Sequence, residues 1–419
     1  MTAPDVHPVR LVVDDDLARR RLTVAVRLVL ALPHLVWVTL YGAVAFLLAL
    51  VAWLNVLVRG TVPASLHRAL SSYTRYTVHL TAYLCLAAEP YPGFTGDRRY
   101  PVDVEIDAPV PQRRLGAAFR LVLALPALIL SSSLGGSTAL GAPAAAWLGG
   151  LVFTVAFFAW FACLARGAMP RGMRDAVVYA IGYGAQTAAY ALLLSGRYPD
   201  STPGRVAPPP ELPPHPVALR VEDDLGRPRL LVLFRLPLCV PHILWLAAWS
   251  ALAVAAVLVA WVAALVVGRV PLPLHRFVAA NVRAWTHLYA FLYLVGRPFP
   301  GFVGREGSYP IDLTIAPPVH QRRVAVLFRP VLAVPALLIA SAYGGVALTI
   351  AVLGWFAALA IGRMPSGLRD LGAASLRYQG QAYAYSALLT PRYPDTSPAL
   401  EGHPEPETAP SDALEVVPA

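Results

Sequence analysis

The chain contains no lysine: all 34 of its basic side chains are arginine. Acids are scarcer, at 24, and charged residues of both signs make up only 14% of the 419 residues. Ordinary soluble domains carry about 25%, so a fold solvated on all sides by mixed charge is excluded. The net charge of +10 would suit nucleic acid only if the arginines formed a patch or stripe. They sit instead at the ends of apolar segments, as topology and anchoring charges do, and nucleic acid is not expected as a partner. Cysteine is limited to Cys85, Cys163 and Cys239, all inside apolar stretches, and their spacing fits neither a disulfide framework nor a metal knot. Also missing are a Gly-rich phosphate loop, a G-x-S-x-G elbow, a kinase-like set and a His pair at i, i+4 beside an acid. No enzyme is therefore expected, and no cofactor or metal. The opening MTAPDVHPVRLVVDDDLARRR places acids before any apolar run, unlike a cleavable signal peptide.

What the chain does contain is apolar sequence. Hydrophobic residues make up 57%, and residues 34–58 run without a charge, beyond the roughly 20 residues that cross a bilayer core. These runs repeat. His7, His34, His67 and His79 recur 208 positions later as His215, His242, His275 and His287. Residues 1–205 and 215–395 are thus tandem membrane repeats, each made of two quarters (1–100 and 101–198; 215–308 and 309–395). Residues 199–214 read as a proline-rich linker and 396–419 as a disordered acidic, proline-rich tail. The second quarter carries 14 extra residues around SSSLGGSTALGAPA.

Each quarter opens with a proline and an alternating segment (HPVRLVVDD, YPVDVEIDA, HPVALRVED, YPIDLTIAP), the period of a short half-buried strand. A basic amphipathic stretch then leads to an R-x5-P signature: Arg27 and Pro33, Arg120 and Pro126, Arg235 and Pro241, Arg329 and Pro335. The expectation is an interfacial lead-in helix whose arginine reaches lipid headgroups and whose proline kinks or restarts the chain. A first long helix follows and ends in W-x6-G-x2-P, with Gly60, Gly167, Gly268 and Gly362 stopping it. A second, less apolar helix closes the hairpin near an aromatic pair: Tyr83 and Tyr91, Tyr190 and Tyr198, Phe291 and Phe299, Tyr385 and Tyr393. The fold class expected is an all-α membrane protein: a polytopic bundle of about eight spans in four two-helix quarters. Short β-strands and interfacial amphipathic helices lie on one face, the strands pairing into one small sheet. The larger share of arginine on the terminal face puts the termini in the cytoplasm and the chain in the plasma membrane.

Polar residues on the second helices are the candidate sites. Arg68, Arg75 and His79 share a helical face, and Arg276, Arg283 and His287 repeat it; Arg377 is the counterpart in the fourth quarter. Arginine at membrane depth needs a partner or a cavity. Two readings stay open: a groove for an anionic headgroup or metabolite, or side chains satisfied within the bundle. His34 and His242 fit a proton relay or metal ligation, or a plain hydrogen bond. Asp14, Asp15 and Asp16 fit a divalent cation or a helix N-terminus. Asp175 and Asp370 each follow an arginine and are expected to pair with it.

The run R-x5-P-[HA], W-x6-G-x2-P, A-Y or A-F and an eight-residue step to Y-P resembles a family of bacterial, mainly actinobacterial, membrane proteins, the domain of unknown function 4389, in two tandem copies. Matching pieces are FRLPLCVPHILWL, AWFACLARGAMPRGMRD and AAYALLLSGRYPDSTP. The resemblance implies a multi-span membrane domain and brings no activity, ligand or catalytic residue. The functional expectation is a non-enzymatic scaffold or lipid-interacting bundle, with membrane lipids, further copies of the chain or other membrane proteins as partners. The alternative is a transporter or channel for an anionic or amphiphilic small molecule.

Overall fold

A computed structural model describes residues 7–97, 99–135, 150–203 and 214–399. Among them are thirteen helices and four strands, and 64% of the described residues are helical. The first quarter holds β1 (Val9–Val13), the lead-in α1 (Arg21–Leu30), the long α2 (Leu32–Arg59) and the second helix α3 (Ala64–Leu84). The next has β2 (Val102–Ile106), α4 (Arg114–Ala118), α5 (Arg120–Leu134), α6 (Gly150–Arg166) and α7 (Arg171–Ala191). The third has β3 (Val217–Val221), α8 (Arg229–Leu233), α9 (Arg235–Val267) and α10 (Leu272–Leu292). The last has β4 (Ile311–Ile315), α11 (Arg323–Leu327), α12 (Arg329–Ile361) and α13 (Ser366–Ser386).

The stop marks act as read. Gly60, Gly167, Gly268 and Gly362 end the long helices with φ of +70° to +80°, a region open to glycine at no steric cost. The proline three residues on then precedes the first residue of the next helix in every quarter. The signature proline behaves differently from the expectation. Pro33 sits in the first turn of α2, but Pro126, Pro241 and Pro335 lie inside unbroken helices. The break falls earlier, at Phe119, Phe234 and Phe328, one residue before each signature arginine.

In the second quarter the long helix is divided in two, and its summed length is kept. Helices α5 and α6 have 15 and 17 residues, and with Gly135 between them they match the 33 of α12. Gly135 and Gly150 abut so closely that a Cβ on Gly150 would lie 2.7 Å from Gly135 N.

Residues α2, α9 and α12 are long and apolar enough to cross a membrane; the eight crossings expected from the hairpins are supported by length and composition in these three alone among the described residues. Their surfaces are mostly exposed: in α2 and α9 only 17% of the most apolar window is buried. In α2 the buried residues His34, Gly42, Ala45, Ala52 and Val56 form one stripe at helical spacing. The 21-residue second helices α3, α7, α10 and α13 form the interior. Each is buried along most of its length.

Two two-stranded antiparallel sheets replace the single sheet expected, one in each half: β1 with β2 and β3 with β4. The reason is the path of the chain. After α3 it doubles back along the hairpin, where Trp37 Nε1 donates to Phe94 O (2.8 Å) and Ser72 Oγ to Thr95 O (2.6 Å). Strand β2 carries it onward to the other end. There Gln112 N–H bonds the carbonyl of Gly60 at 2.8 Å, and reciprocally Arg19 N–H bonds Gly167 O at 2.8 Å. The second half repeats this, with Gln321 N–H on Gly268 O (2.8 Å) and Arg227 N–H on Gly362 O (2.9 Å). Each lead-in therefore docks where its neighbour's long helix ends. The two quarters of a half are inverted relative to one another, which overturns the expectation that every lead-in returns to the same end of the bundle.

The halves meet through α12, which packs on α5 and α6, and by a reciprocal exchange of short segments. Within each half a tyrosine holds the segment, Tyr179 OH donating to Ser201 O and Tyr343 OH to Thr396 O, at 2.6 and 2.7 Å, and the held segment packs on the second helix of the other half. A side chain on Gly172 would run into the Thr396 and Ser397 backbone, and one on Gly367 into Thr202. Residues 199–203 and 396–399 are thus packed structure. The rest of the expected linker, 204–213, and the tail from 400 lie outside the described residues, so the expectation of disorder there does too.

Candidate functional site

The most repeated arrangement seals the C-terminal end of each second helix. All four carry an aromatic as their penultimate residue, followed three positions later by a leucine with φ of +61° to +64°: Leu86, Leu193, Leu294 and Leu388. Left-handed backbone costs a non-glycine residue roughly 1–2 kcal/mol, so something must hold it. The leucine carbonyl accepts a side-chain hydrogen bond in every copy: from Arg19 Nε (2.9 Å), Gln112 Nε2 (2.6 Å), Arg227 Nε (3.0 Å) and Gln321 Nε2 (2.8 Å). These are the same residues whose N–H groups grip the neighbouring hairpin glycine. Each joins two quarters through its backbone and locks a helix end through its side chain.

The signature arginine completes the seal. Arg27, Arg120, Arg235 and Arg329 are 2–5% exposed, so they do not reach headgroups as expected. Each guanidinium lies 4.0–4.4 Å from the ring centroid of Tyr83, Tyr190, Phe291 or Tyr385. Arg27 Nη1 also donates to Ala88 O (3.0 Å), Arg235 to Phe291 O, and Arg329 to Thr390 O (3.3 Å). A cation at the negative end of a helix dipole, stacked on a ring and bonded to its free carbonyls, is favourable on three counts. The second aromatic meets the first edge-on, as in Tyr83–Tyr91 and Phe291–Phe299. Residues read as a membrane-facing mark are therefore internal closure.

The acids take a role that was not foreseen. Asp15 pairs with Arg19 and Asp223 with Arg227, both at 2.7 Å and with side chains at most 3% exposed. They cap no helix: α1 begins after Arg20 without a side-chain cap. Among the described residues no group of three or more His, Cys, Asp or Glu is placed to hold a metal ion. Arg174–Asp175 and Arg369–Asp370 pair as expected, at 2.8 and 2.6 Å.

The candidate residues of the second helices divide. Arg75 and His79 converge on Asp103, with Arg75 Nε at 3.2 Å and His79 Nε2 at 2.9 Å from the same Oδ1. Arg283 and His287 converge on Asp312, at 3.6 and 2.7 Å, and Arg283 also reaches Glu306 at 3.1 Å. Tyr100 and Tyr309 stack on the two imidazoles, centroids 4.6 and 5.0 Å away. Burial opposes ionisation of both aspartates, but the histidine contact, a backbone N–H and the arginine outweigh it and hold each carboxyl below its usual range. Asp103 and Asp312 were missed because they lie in the strand of the following quarter. The signal was present, since Y-P-V-D and Y-P-I-D place an acid that the two H-P strands lack. Arg68 and Arg276 are exposed and join neither cluster. Arg377 is buried and donates to Ser397 O. At the position of His79 and His287 the other quarters carry Gln186 and Gln381, which bond the edge-strand carbonyls of Val9 (3.2 Å) and Val217 (2.9 Å). His34 and His242 are fully buried and stack on Phe94 and Phe302, at 4.2 and 4.5 Å.

Two cavities lie among the described helices. One of ≈ 560 Å³ lies between α5, α6 and α12 and is lined by Ser132, Phe157 and Ser341. The other, ≈ 470 Å³, opens between α9, α10 and α13 and is lined by Ser250, Asn281, Trp285 and Tyr289. No arginine lines either of them.

The sealed helix end, preceded by a lead-in, a long apolar helix and a glycine stop, defines one complete unit. Two such units, residues 21–95 and 323–396, match the family model for the domain of unknown function DUF4389. These two segments are similar to DUF4389. They fall in the first and fourth quarters; the pieces FRLPLCVPHILWL, AWFACLARGAMPRGMRD and AAYALLLSGRYPDSTP lie in the third and second, outside the matched segments. No curated protein and no solved structure matches the chain.

Proposed function

We propose that this chain is a non-enzymatic membrane scaffold whose long helices contact lipid hydrocarbon and whose second helices form a closed, polar interior. The observation that carries this reading is the exposed surface of α2 and α9: apolar on every side but one stripe, without a charge between Leu32 and Leu57 or between Leu236 and Val267. Burying such surface in lipid gains about 25 cal/mol per Å², and leaving it in water would drive association. The interior supports a scaffold over a transporter. Arg75 and Arg283 are engaged by Asp103 and Asp312, and neither cavity presents a charge to an anionic solute.

The test is fractionation followed by native mass spectrometry. The full chain stays with membranes through alkaline carbonate and high salt, and anionic lipid bound to the purified protein is unchanged by Arg75→Leu and Arg283→Leu. Release into the wash defeats the membrane reading. Loss of an anionic ligand in both variants, with the fold intact by circular dichroism, replaces the scaffold with an anion site.

A further inference from the structure

We infer that the molecule lies in one leaflet, its long helices along the membrane plane and its two small sheets in water, so that the interaction surface is a layer of apolar helix fitted to a single lipid monolayer. The inference rests on the membrane reading above and adds the orientation.

Three observations carry it. The first is where the sheets expose charge. In β1 and β2 the residues Val9, Val102 and Val104 face inward and are at most 1% exposed. The opposite side carries Arg10 and Glu105, paired across the strands, with side chains 39% and 60% exposed. In the second half Arg220 and the adjoining Glu222 are 64% and 61% exposed. Strand β2 runs beside the middle of α3, because Asp103 meets Arg75 and His79. Were the helices upright, this open charged face would sit at mid-bilayer against lipid, where charge and strand edges have no partners. The second is length. Helices α9 and α12 have 33 residues each, about 50 Å at 1.5 Å per residue, against a hydrocarbon core of about 30 Å. A helix in the plane has no such mismatch. The third is the inversion of neighbouring quarters. An antiparallel strand pair is related by a twofold axis perpendicular to its sheet. That axis, set along the membrane normal, turns one quarter into the next while keeping both long helices on the lipid side and both strands on the water side. The same inversion with upright helices would require β2 to carry the chain across the bilayer.

Nitroxide labels decide the orientation. Val36, Leu47 and Val58 are 65%, 62% and 70% exposed and lie three turns apart on one face of α2. Each is changed to Cys (Val36→Cys, Leu47→Cys, Val58→Cys) in the full chain, reconstituted in phosphatidylcholine–phosphatidylglycerol vesicles, with the background of Cys85, Cys163 and Cys239 measured on the unsubstituted protein. Depth is read from the ratio of oxygen to nickel-chelate accessibility. One shared depth at all three sites is the expected result. A maximum at Leu47 with shallow values at Val36 and Val58 overturns it and makes α2 a crossing helix, while the membrane reading survives. As a second measurement, Arg20→Cys and Arg59→Cys, at exposed positions flanking α1 and α2, react with an impermeant maleimide from the same side of sealed vesicles. Reaction from opposite sides overturns the inference even if the depth labels disturb packing.

Discussion

Arg27 and Arg235 occupy the same position in the two halves and answer the same helix end with different company. Arg27 stacks on Tyr83 and also reaches Glu89 at 3.0 Å. Arg235 stacks on Phe291 and has no carboxylate; Arg297 stands where Glu89 stands and pairs outward with Asp224 at 3.0 Å. What both copies keep is the ring and the carbonyls. The position therefore needs a flat donor that plugs a helix end more than it needs a counter-ion. The neighbouring locks make the same point in another way, since Arg19 held by Asp15 and Gln112 held by the signature Arg120 serve equivalent carbonyls.

That comparison breaks most severely if the plug is removed. Arg235→Leu leaves buried carbonyls without a donor and is expected to cost about 3 kcal/mol or more, read from denaturant unfolding in detergent micelles. Arg235→Lys recovers less than half, because an ammonium cannot stack and bond in one plane. Next comes the lock. Asp15→Asn strands a fully buried Arg19 and should cost about 3 kcal/mol. The double change Asp15→Ala with Arg19→Gln copies the second quarter, where Ala108 and Gln112 stand at these positions, and recovers most of it; no recovery would mean that the quarters are not interchangeable there.

A smaller contrast lies in the cores. Tyr73 packs on Tyr41 in the first half, centroids 5.1 Å apart, and its counterpart Asn281 lines the ≈ 470 Å³ cavity. Tyr73→Asn should cost about 2–3 kcal/mol as a large-to-small change, and Asn281→Tyr should cost far less or stabilise, measured by the same unfolding. The smallest effect is on pH. Asp103 and Asp312 ionise more readily in the fold than when unfolded, so their contribution is complete above the unfolded carboxylate pKa of about 4 and fades as pH falls through the lower folded value. Unfolding between pH 6 and 3 should show a slope that Asp312→Asn flattens.

These contrasts also show what the sequence discloses. The four-unit plan, the alternating strands, the glycine stops and the Arg–Asp pairs at 174–175 and 369–370 are written in local spacing, which a single strand of text preserves. The fate of the signature arginines depends on a helix end 56 residues downstream of Arg235 and 70 downstream of Arg120, and only that contact converts an expected headgroup anchor into a plug. Asp103 and Asp312 escaped notice for a related reason: each belongs to one quarter by sequence and to its neighbour by contact. The inversion of quarters was hidden in the passage through β2, where strand period says nothing about where the strand begins or ends.

The abutment of Gly135 and Gly150 has a practical corollary. Their counterparts in α12, Gly344 and Gly345, are adjacent in sequence, and nothing lies within 4 Å of where their side chains would be. One copy of the helix has therefore been opened at a place where the other is still closed. A reporter tag spliced between Gly344 and Gly345 would enter at the position where the second quarter already accommodates 14 extra residues.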